Sequence, residues 1–363
     1  MASPLGIYVH VPFCAVRCGY CDFNTYVSTQ GRDGFAGAIA QELEQARAQL
    51  GDRPADTVFI GGGTPSLLDP AELRTILAAI ELAPGAEVTS EANPESATRD
   101  WLQGAREAGV NRISFGMQSA RRHVLAELDR VHTPGRVAEA VADARAAGFE
   151  RLSVDLIYGA HGETDADWEA SVRAALALAP EHVSAYALVV EPGTRLHARV
   201  RAREVPAPDD DALARRYELA DDLLGAAGLP WYEISNWGEP CRHNVGYWRG
   251  YDWWGAGPGA HSHLDGTRWW NLKRPLAWAA RVRRGASPAA GSERLDAETR
   301  RFERVMLGVR LAKGLDPAEL DDRGRAEAER LRAEGLIAQG GPYLTLTRRG
   351  RLLADAVARR LTP

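Results

Sequence analysis

Through the first two thirds of the chain, short runs rich in apolar and β-branched residues alternate with longer runs whose apolar positions recur every three or four residues. The short runs, at 7–13, 57–60, 87–91, 112–116, 151–157 and 182–190, read as strands. The longer ones, at 35–50, 70–80, 100–107, 121–129, 136–147, 165–178 and 209–224, read as helices. Strand then helix, repeated about six times, predicts parallel strands with helical crossovers and an α/β fold class. Six such units make a partial (β/α)6 barrel, open on one side, with the chemistry expected at the C-terminal ends of the strands.

From Pro230 to Trp270 the pattern changes. Seven of the ten tryptophans (Trp231, Trp237, Trp248, Trp253, Trp254, Trp269 and Trp270) fall there among many glycines. A polar, Ser- and Gly-containing linker follows near 285–295, and the tail from Thr299 is helical again. Its end, LIAQGGPYLTLTRRGRLLADAV, reads as helix, short hairpin and helix, a small winged-helix-like α+β domain. The expected organisation is therefore a barrel over 1–230, a Trp/Gly-rich extension over 231–290 and a C-terminal domain over 296–363. A wing can contact nucleic acid, but Arg348, Arg349 and Arg351 also fit a solvated helix start, and a packing domain is the expected role.

The chain is 45% apolar and 26% charged, with 49 acidic against 44 basic residues and a net charge of −5. That balance exerts no global pull toward nucleic acid or anionic lipid. The start, MASPLGIYVHVPFC, has neither a basic stretch nor an apolar run suited to a signal peptide, and no segment is long and apolar enough to span a membrane. A cytoplasmic location is expected. Four cysteines, three within eight positions, are no disulfide framework and point to a metal.

Cys14, Cys18 and Cys21 are spaced C-x3-C-x2-C directly after the first strand. Three thiolates on one loop can wrap one face of an iron–sulfur cubane and leave one of its four irons open for an amino-carboxylate ligand. The rival readings are a zinc site, which wants a fourth ligand such as His10, and three unrelated core cysteines. Read with IYVHVPF before it and Tyr20 within it, the motif resembles that of the radical-SAM superfamily. The longer stretch YVHVPFCAVRCGYCDFNTY is similar to the oxygen-independent coproporphyrinogen III oxidase group. The resemblance implies a [4Fe-4S] cluster on the three cysteines and S-adenosylmethionine (SAM) at the open iron.

Gly61-Gly62-Gly63-Thr64-Pro65 follows the second strand, where glycines let the backbone approach a ligand and leave amides and carbonyls to bind it. Glu91 ends the third strand, Gln118 the fourth, and Asp155 lies inside the apolar run LSVDLIYG, where an acid is costly unless paired or ligand-bound. The resemblance assigns SAM contacts to Tyr8, Tyr20, Gly62, Gly63, Thr64, Glu91, Gln118, Arg130 and Asp155, with a further backbone contact near Val189. Arg130 suits the methionine carboxylate because its guanidinium pairs in two places. One departure stands out: Ala160-His161-Gly162 replaces the Leu-Pro-Gly expected after the fifth strand.

Two branches of the group differ at readable positions. The oxidases resemble C-x3-C-x2-C-x-C with an N-terminal extension; here Phe23 stands at the fourth cysteine's place and the strand starts at Ile7. In ISNWGEPCRHNVGYWRGYDWWGAGPGAHS, the residues His243, Asn244, Tyr247 and Trp248 resemble the HNxxYW motif of the HemW-type heme chaperone branch. An imidazole can ligate heme iron while Tyr and Trp rings cover the macrocycle. The motif is expected near the open mouth of the barrel. Cys241 is a rival iron ligand. The resemblance thus implies a heme carrier with no catalytic residue, passing heme to an acceptor protein (a respiratory enzyme is one candidate) and able to form a homodimer. The alternative is the oxidase itself, which uses a 5′-deoxyadenosyl radical to decarboxylate coproporphyrinogen III. A nucleic-acid-binding regulator is the third class.

Overall fold

The computed structural model describes residues 3–362; residues 1, 2 and 363, at the outer bounds of the expected domains, lie outside it. Six strands, β1 (Leu5–Val11), β2 (Ala55–Gly62), β3 (Leu82–Ala92), β4 (Arg112–Gln118), β5 (Arg151–Tyr158) and β6 (His182–Ala187), pair in parallel in chain order. The crossovers are α1 (Phe35–Leu50), α2 (Pro70–Ala78), α3 (Arg99–Ala108), the pair α4 (Arg122–Glu127) and α5 (Pro134–Ala146), and α6 (Asp165–Ala177). After β6 come α7 (Arg195–Arg201) and α8 (Asp210–Ala226).

Alternation along the strands divides the residues between two faces. Val9, Val58, Ile60, Val88, Ile113, Phe115, Val154 and Val183 pack outward in the main core beneath the helices. Tyr8, Phe59, Ser114, Ser153, Asp155 and Ser184 face a central cavity. Local signals set the helix starts: Asp69 and Glu72 form a reciprocal capping box at α2, and Thr164 and Asp167 do so at α6.

The Trp-rich stretch does not stand apart from the barrel. Its strands extend both edges of one twelve-stranded sheet. On one side β7 (Trp231–Glu233) forms the edge, antiparallel to β8 (Asn236–Gly238), which pairs antiparallel with β6; on the other β9 (Asp252–Ala256) pairs parallel with β1, followed by β10 (His261–Leu264) and β11 (Thr267–Asn271). Between these two sets lies α9 (Arg242–Trp248), and α10 (Pro275–Arg283) packs Trp278 into the main core. The expected linker at 285–295 is a strand, β12 (Ala289–Arg294), antiparallel to β11. It carries no apolar run because it is an exposed edge, held by its ladder rather than by burial.

The tail comprises α11 (Ala297–Gly308), α12 (Asp322–Ala333), α13 (Arg348–Leu352) and α14 (Ala354–Leu361) around a core of its own, including Val305, Leu331, Ile337 and Val357. The expected hairpin is reduced to the single bridge Ile337–Leu346. Arg351 is buried, donates to Asp221 of α8 at 2.6 and 2.8 Å, and lies 4.4 Å over the Trp231 ring; Arg348 also pairs with Asp221. These arginines fasten the tail to the barrel. No described helix is long and apolar enough to cross a membrane.

Candidate functional site

A cavity of about 580 Å³ runs through the barrel. Every residue singled out for the cluster, for SAM and for heme lines it except Trp248, which is half-buried elsewhere, and Val189 lines it too. The cysteine and glycine loops close its upper end, beyond the C-termini of the strands. The HNxxYW stretch closes the lower end, against the N-terminal halves of β2 and β3. The expectation that it lies near the mouth is therefore corrected: α9 plugs the floor, because the chain returning from β8 must pass beneath the barrel to reach β9.

At the top, the cysteine loop is held from several sides. The Cys14 amide donates to the Tyr26 carbonyl, the Tyr26 amide donates to the Pro12 carbonyl just beyond β1, and the Gly19 carbonyl accepts from Leu196 of α7. The Asn24 amide donates to the carbonyls of Pro258 and Lys273, both at 2.9 Å, so the Trp-rich stretch braces the loop. The Asn24 carbonyl accepts from His10 Nε2 at 3.0 Å, which leaves His10 Nδ1 to accept from the Tyr8 hydroxyl at 2.9 Å. His10 is thus a buried structural histidine, kept neutral by burial. Thr64 Oγ1 reaches Cys14 Sγ and Arg130 Nη1 reaches Cys18 Sγ, each at 3.7 Å. Burial pushes the Cys14 and Cys21 thiols up. No three His, Cys, Asp or Glu among the described residues are spaced around a single ion, so the donor set is three thiols on the wall of a larger hollow.

The glycine loop touches the cysteine loop directly. A Cβ on Gly63 would lie 2.5 Å from the Phe13 carbonyl and 2.8 Å from that of Val11, and Gly62 has φ +107° against the His10 ring. Its amides are not left for a ligand: Gly62 donates to Glu91, Gly63 to Val11 and Thr64 to Phe13. Burial, then Asp155, raises the Glu91 carboxyl to about 7. Asp155 accepts from Ser184 at 2.7 Å and Ser114 at 2.9 Å, and burial raises it as well. Gln118 sits at φ +63° where the β4–β5 register slips, a strained conformation held at the cavity wall. Arg130 Nη2 donates to the Gly116 carbonyl at 3.0 Å.

At the floor, both ring nitrogens of His243 are engaged: Nδ1 with Thr57 Oγ1 at 2.8 Å and Nε2 with the Tyr247 hydroxyl at 2.9 Å. Its ring stacks on Phe59 at 5.5 Å, and burial lowers it to about 4. Its amide donates to Glu87. Burial alone would raise Glu87, but Arg112, the His243 amide and Arg151 hold it below the usual range. Asn244 donates to Tyr232 and Glu233. Cys241 is buried, its thiol pushed up to about 11, and donates to Glu87. A thiol held neutral in this way is a poor rival for iron.

Several cavity residues were not foreseen: Phe59, Arg112, Ser114, Ser153, His182, Ser184 and Tyr232. The signal was present in the strand parity, since each serine alternates with apolar neighbours. The brace by Asn24 had no local signal.

Sequence comparison agrees with this architecture. The model of the Radical SAM superfamily matches residues 8–175, and that of the HemN C-terminal domain matches residues 295–353. The heme chaperone HemW of Mycobacterium tuberculosis (strain CDC 1551 / Oshkosh) is 52% identical over 99% of this chain and 95% of its own. The heme chaperone HemW of Bacillus subtilis (strain 168) is 33% identical over 96% and 97%. The coproporphyrinogen III oxidase HemN of Escherichia coli, a radical SAM enzyme, shares the fold with a TM-score of 0.85 at 21% identity, over 99% of this chain and 90% of its own. The chain belongs to the HemW heme-chaperone family, within the radical-SAM proteins related to the oxygen-independent coproporphyrinogen III oxidases.

Proposed function

We propose that the protein carries heme and hands it to an acceptor protein, with a [4Fe-4S] cluster and SAM bound in the upper half of the same barrel. The observation that carries this reading is the shared cavity, with three thiols at one end and an imidazole–phenol pair at the other. Cys14, Cys18 and Cys21 would hold the cluster. Because Cys14 and Cys21 are neutral thiols when unligated, loading releases protons. A cluster with an open iron supplies a seat for the amino-carboxylate of SAM and a source of one electron. Arg130 would fork the carboxylate in exchange for its bonds to Gly116 and Cys18, and Glu91 and Asp155 would accept from ribose hydroxyls; Tyr8, with its proton turned to His10, would present an acceptor to the ligand. Tyr20, Gly62, Gly63, Thr64 and Gln118 complete the wall.

His243 and Tyr247 would offer the iron an imidazole and a phenol from α9, which Asn244 fixes; Trp248 would act from outside the cavity. Phe23, 57% exposed where the oxidases have a further cysteine, favours carriage over porphyrinogen chemistry. Anaerobically reconstituted protein, titrated with heme and then mixed with an apo-cytochrome acceptor, should bind about one heme per chain and lose it to the acceptor. Under reductant and SAM it should not convert coproporphyrinogen III. Multiple turnovers of that substrate would replace this reading with the oxidase. Sedimentation with and without heme tests the homodimer.

A further inference from the structure

A second hollow, of about 230 Å³, lies outside the barrel floor between α9 and the starts of β1 and β9. His243 and Tyr247 line both this hollow and the central cavity, so α9 is a partition one helix thick. The outer side is largely apolar and aromatic. Tyr247 meets Trp253 edge-to-face at 4.9 Å, and Tyr251, Val245 and the bare backbone of Gly246 complete the wall. Arg242 and Arg249, both exposed, stand on its lining.

Charge separates the two sides. The central cavity is lined by six acids, Asp22, Glu91, Glu95, Asp129, Asp155 and Glu191, against three arginines, Arg17, Arg112 and Arg130, of which Arg130 is tied to Gly116 and Cys18. In the outer hollow the two acids are committed: Asp56 accepts the Leu5 amide at 2.9 Å, and Asp252 pairs with Arg53 at 2.9 Å. Arg242 donates to the Gly85 carbonyl and Arg249 to the Tyr251 hydroxyl, both neutral acceptors, and neither has an ion-pair partner among the described residues. Two guanidiniums beside an aromatic wall therefore await anions attached to something flat and apolar.

We propose that heme docks on this outer face of α9, one macrocycle face against Tyr247 and Trp253, with Arg242 and Arg249 pairing with its propionate carboxylates. The assignment rests on the heme-carrying reading and moves the seat of the cargo from the cavity side of α9 to its outer side. The hollow is too small to enclose a tetrapyrrole, so one edge stays in solvent. An exposed edge suits cargo that an acceptor must take.

The test compares hemin with hemin dimethyl ester, which keeps the macrocycle and removes both carboxylates, on full-length protein with its cluster reconstituted. Wild type should bind hemin about tenfold or more tightly than the ester. In the R242Q/R249Q variant that ratio should fall toward one, with ester affinity and cluster absorbance unchanged. A leucine at the helix position in Gly246→Leu should weaken both ligands alike by filling the hollow. Equal wild-type affinity for the two ligands overturns the proposal. So does a ratio that survives R242Q/R249Q but falls in Arg112→Gln, which would put the carboxylates in the central cavity. Wild type that binds neither ligand sinks the heme reading itself.

Discussion

At the residue scale, burial decides which groups carry charge. Glu91 sits above its ordinary value in the folded chain, so its contribution to stability is full below the unfolded value near 4.5 and is lost as pH rises through about 7. Glu91→Gln should therefore stabilise the ligand-free protein at pH 8 by about 1–3 kcal/mol relative to its effect at pH 5. Urea denaturation at both pH values checks this; an equal difference at the two would mean the carboxyl is unperturbed. The same change should weaken SAM, so stability and affinity should move in opposite directions. His243 presents a second case. Because Nδ1 is bonded to Thr57 and Nε2 to Tyr247, iron ligation by His243 must break one of these bonds, and the Tyr247 hydroxyl guards Nε2. Tyr247→Phe should keep the ring contact and free the imidazole, retaining heme with an altered Soret band. Tyr247→Ala should lose affinity through lost apolar contact. Identical spectra for wild type and Tyr247→Phe would show that the hydroxyl does not control the axial position.

At the element scale, the two loops of the upper site support one another. Asn24 joins the cysteine loop to the segment around Pro258 and Lys273, far away in the chain. Asn24→Ala removes three side-chain bonds, two donated to Pro258 and Lys273 and one accepted from the Tyr26 hydroxyl, a loss of about 1–3 kcal/mol. Its expected signature is faster bleaching of the cluster's visible absorbance under chelator, with circular dichroism unchanged. A bleaching rate equal to wild type would remove Asn24 from the loop's support. The six parallel strands and their helices were legible in the sequence because each repeats a period of two or of about 3.6 over enough residues to be distinctive. Strand β12 was not, since an edge strand needs no apolar face. The tail's hairpin is present but short: LTLT alternates, yet Leu346 bridges Ile337 while Leu344 bridges Leu315, and both leucines bury in a helical core.

At the scale of the whole molecule, Asp221 is the fastening between barrel and tail, bonded to Arg348, Arg351 and Trp237. Breaking a buried ion pair from one side leaves a costly charge, about 3–5 kcal/mol. Asp221→Ala should split the single thermal transition into two and expose the segment before α11 to protease, which calorimetry and limited trypsinolysis would register. One transition at the wild-type temperature would mean the domains are held otherwise. Arg348 and Arg351 are thus spent on an internal contact, which favours the packing role over a nucleic-acid wing.

The sequence by itself determined the α/β repeat, the three-cysteine loop, the glycine segment and the HNxxYW stretch, because each is a local pattern whose chemistry depends on near neighbours. Only the tertiary structure decided where these patterns meet. Residues 57, 87 and 243 come together because parallel strands stack their N-terminal halves and the returning chain must cross beneath them. That crossing puts the HNxxYW stretch on the floor rather than at the mouth, engages both nitrogens of His243, and turns one side of α9 outward. None of this has a period or a spacing to read. It follows from sheet order and from the side on which a connection closes, which are properties of the folded chain alone.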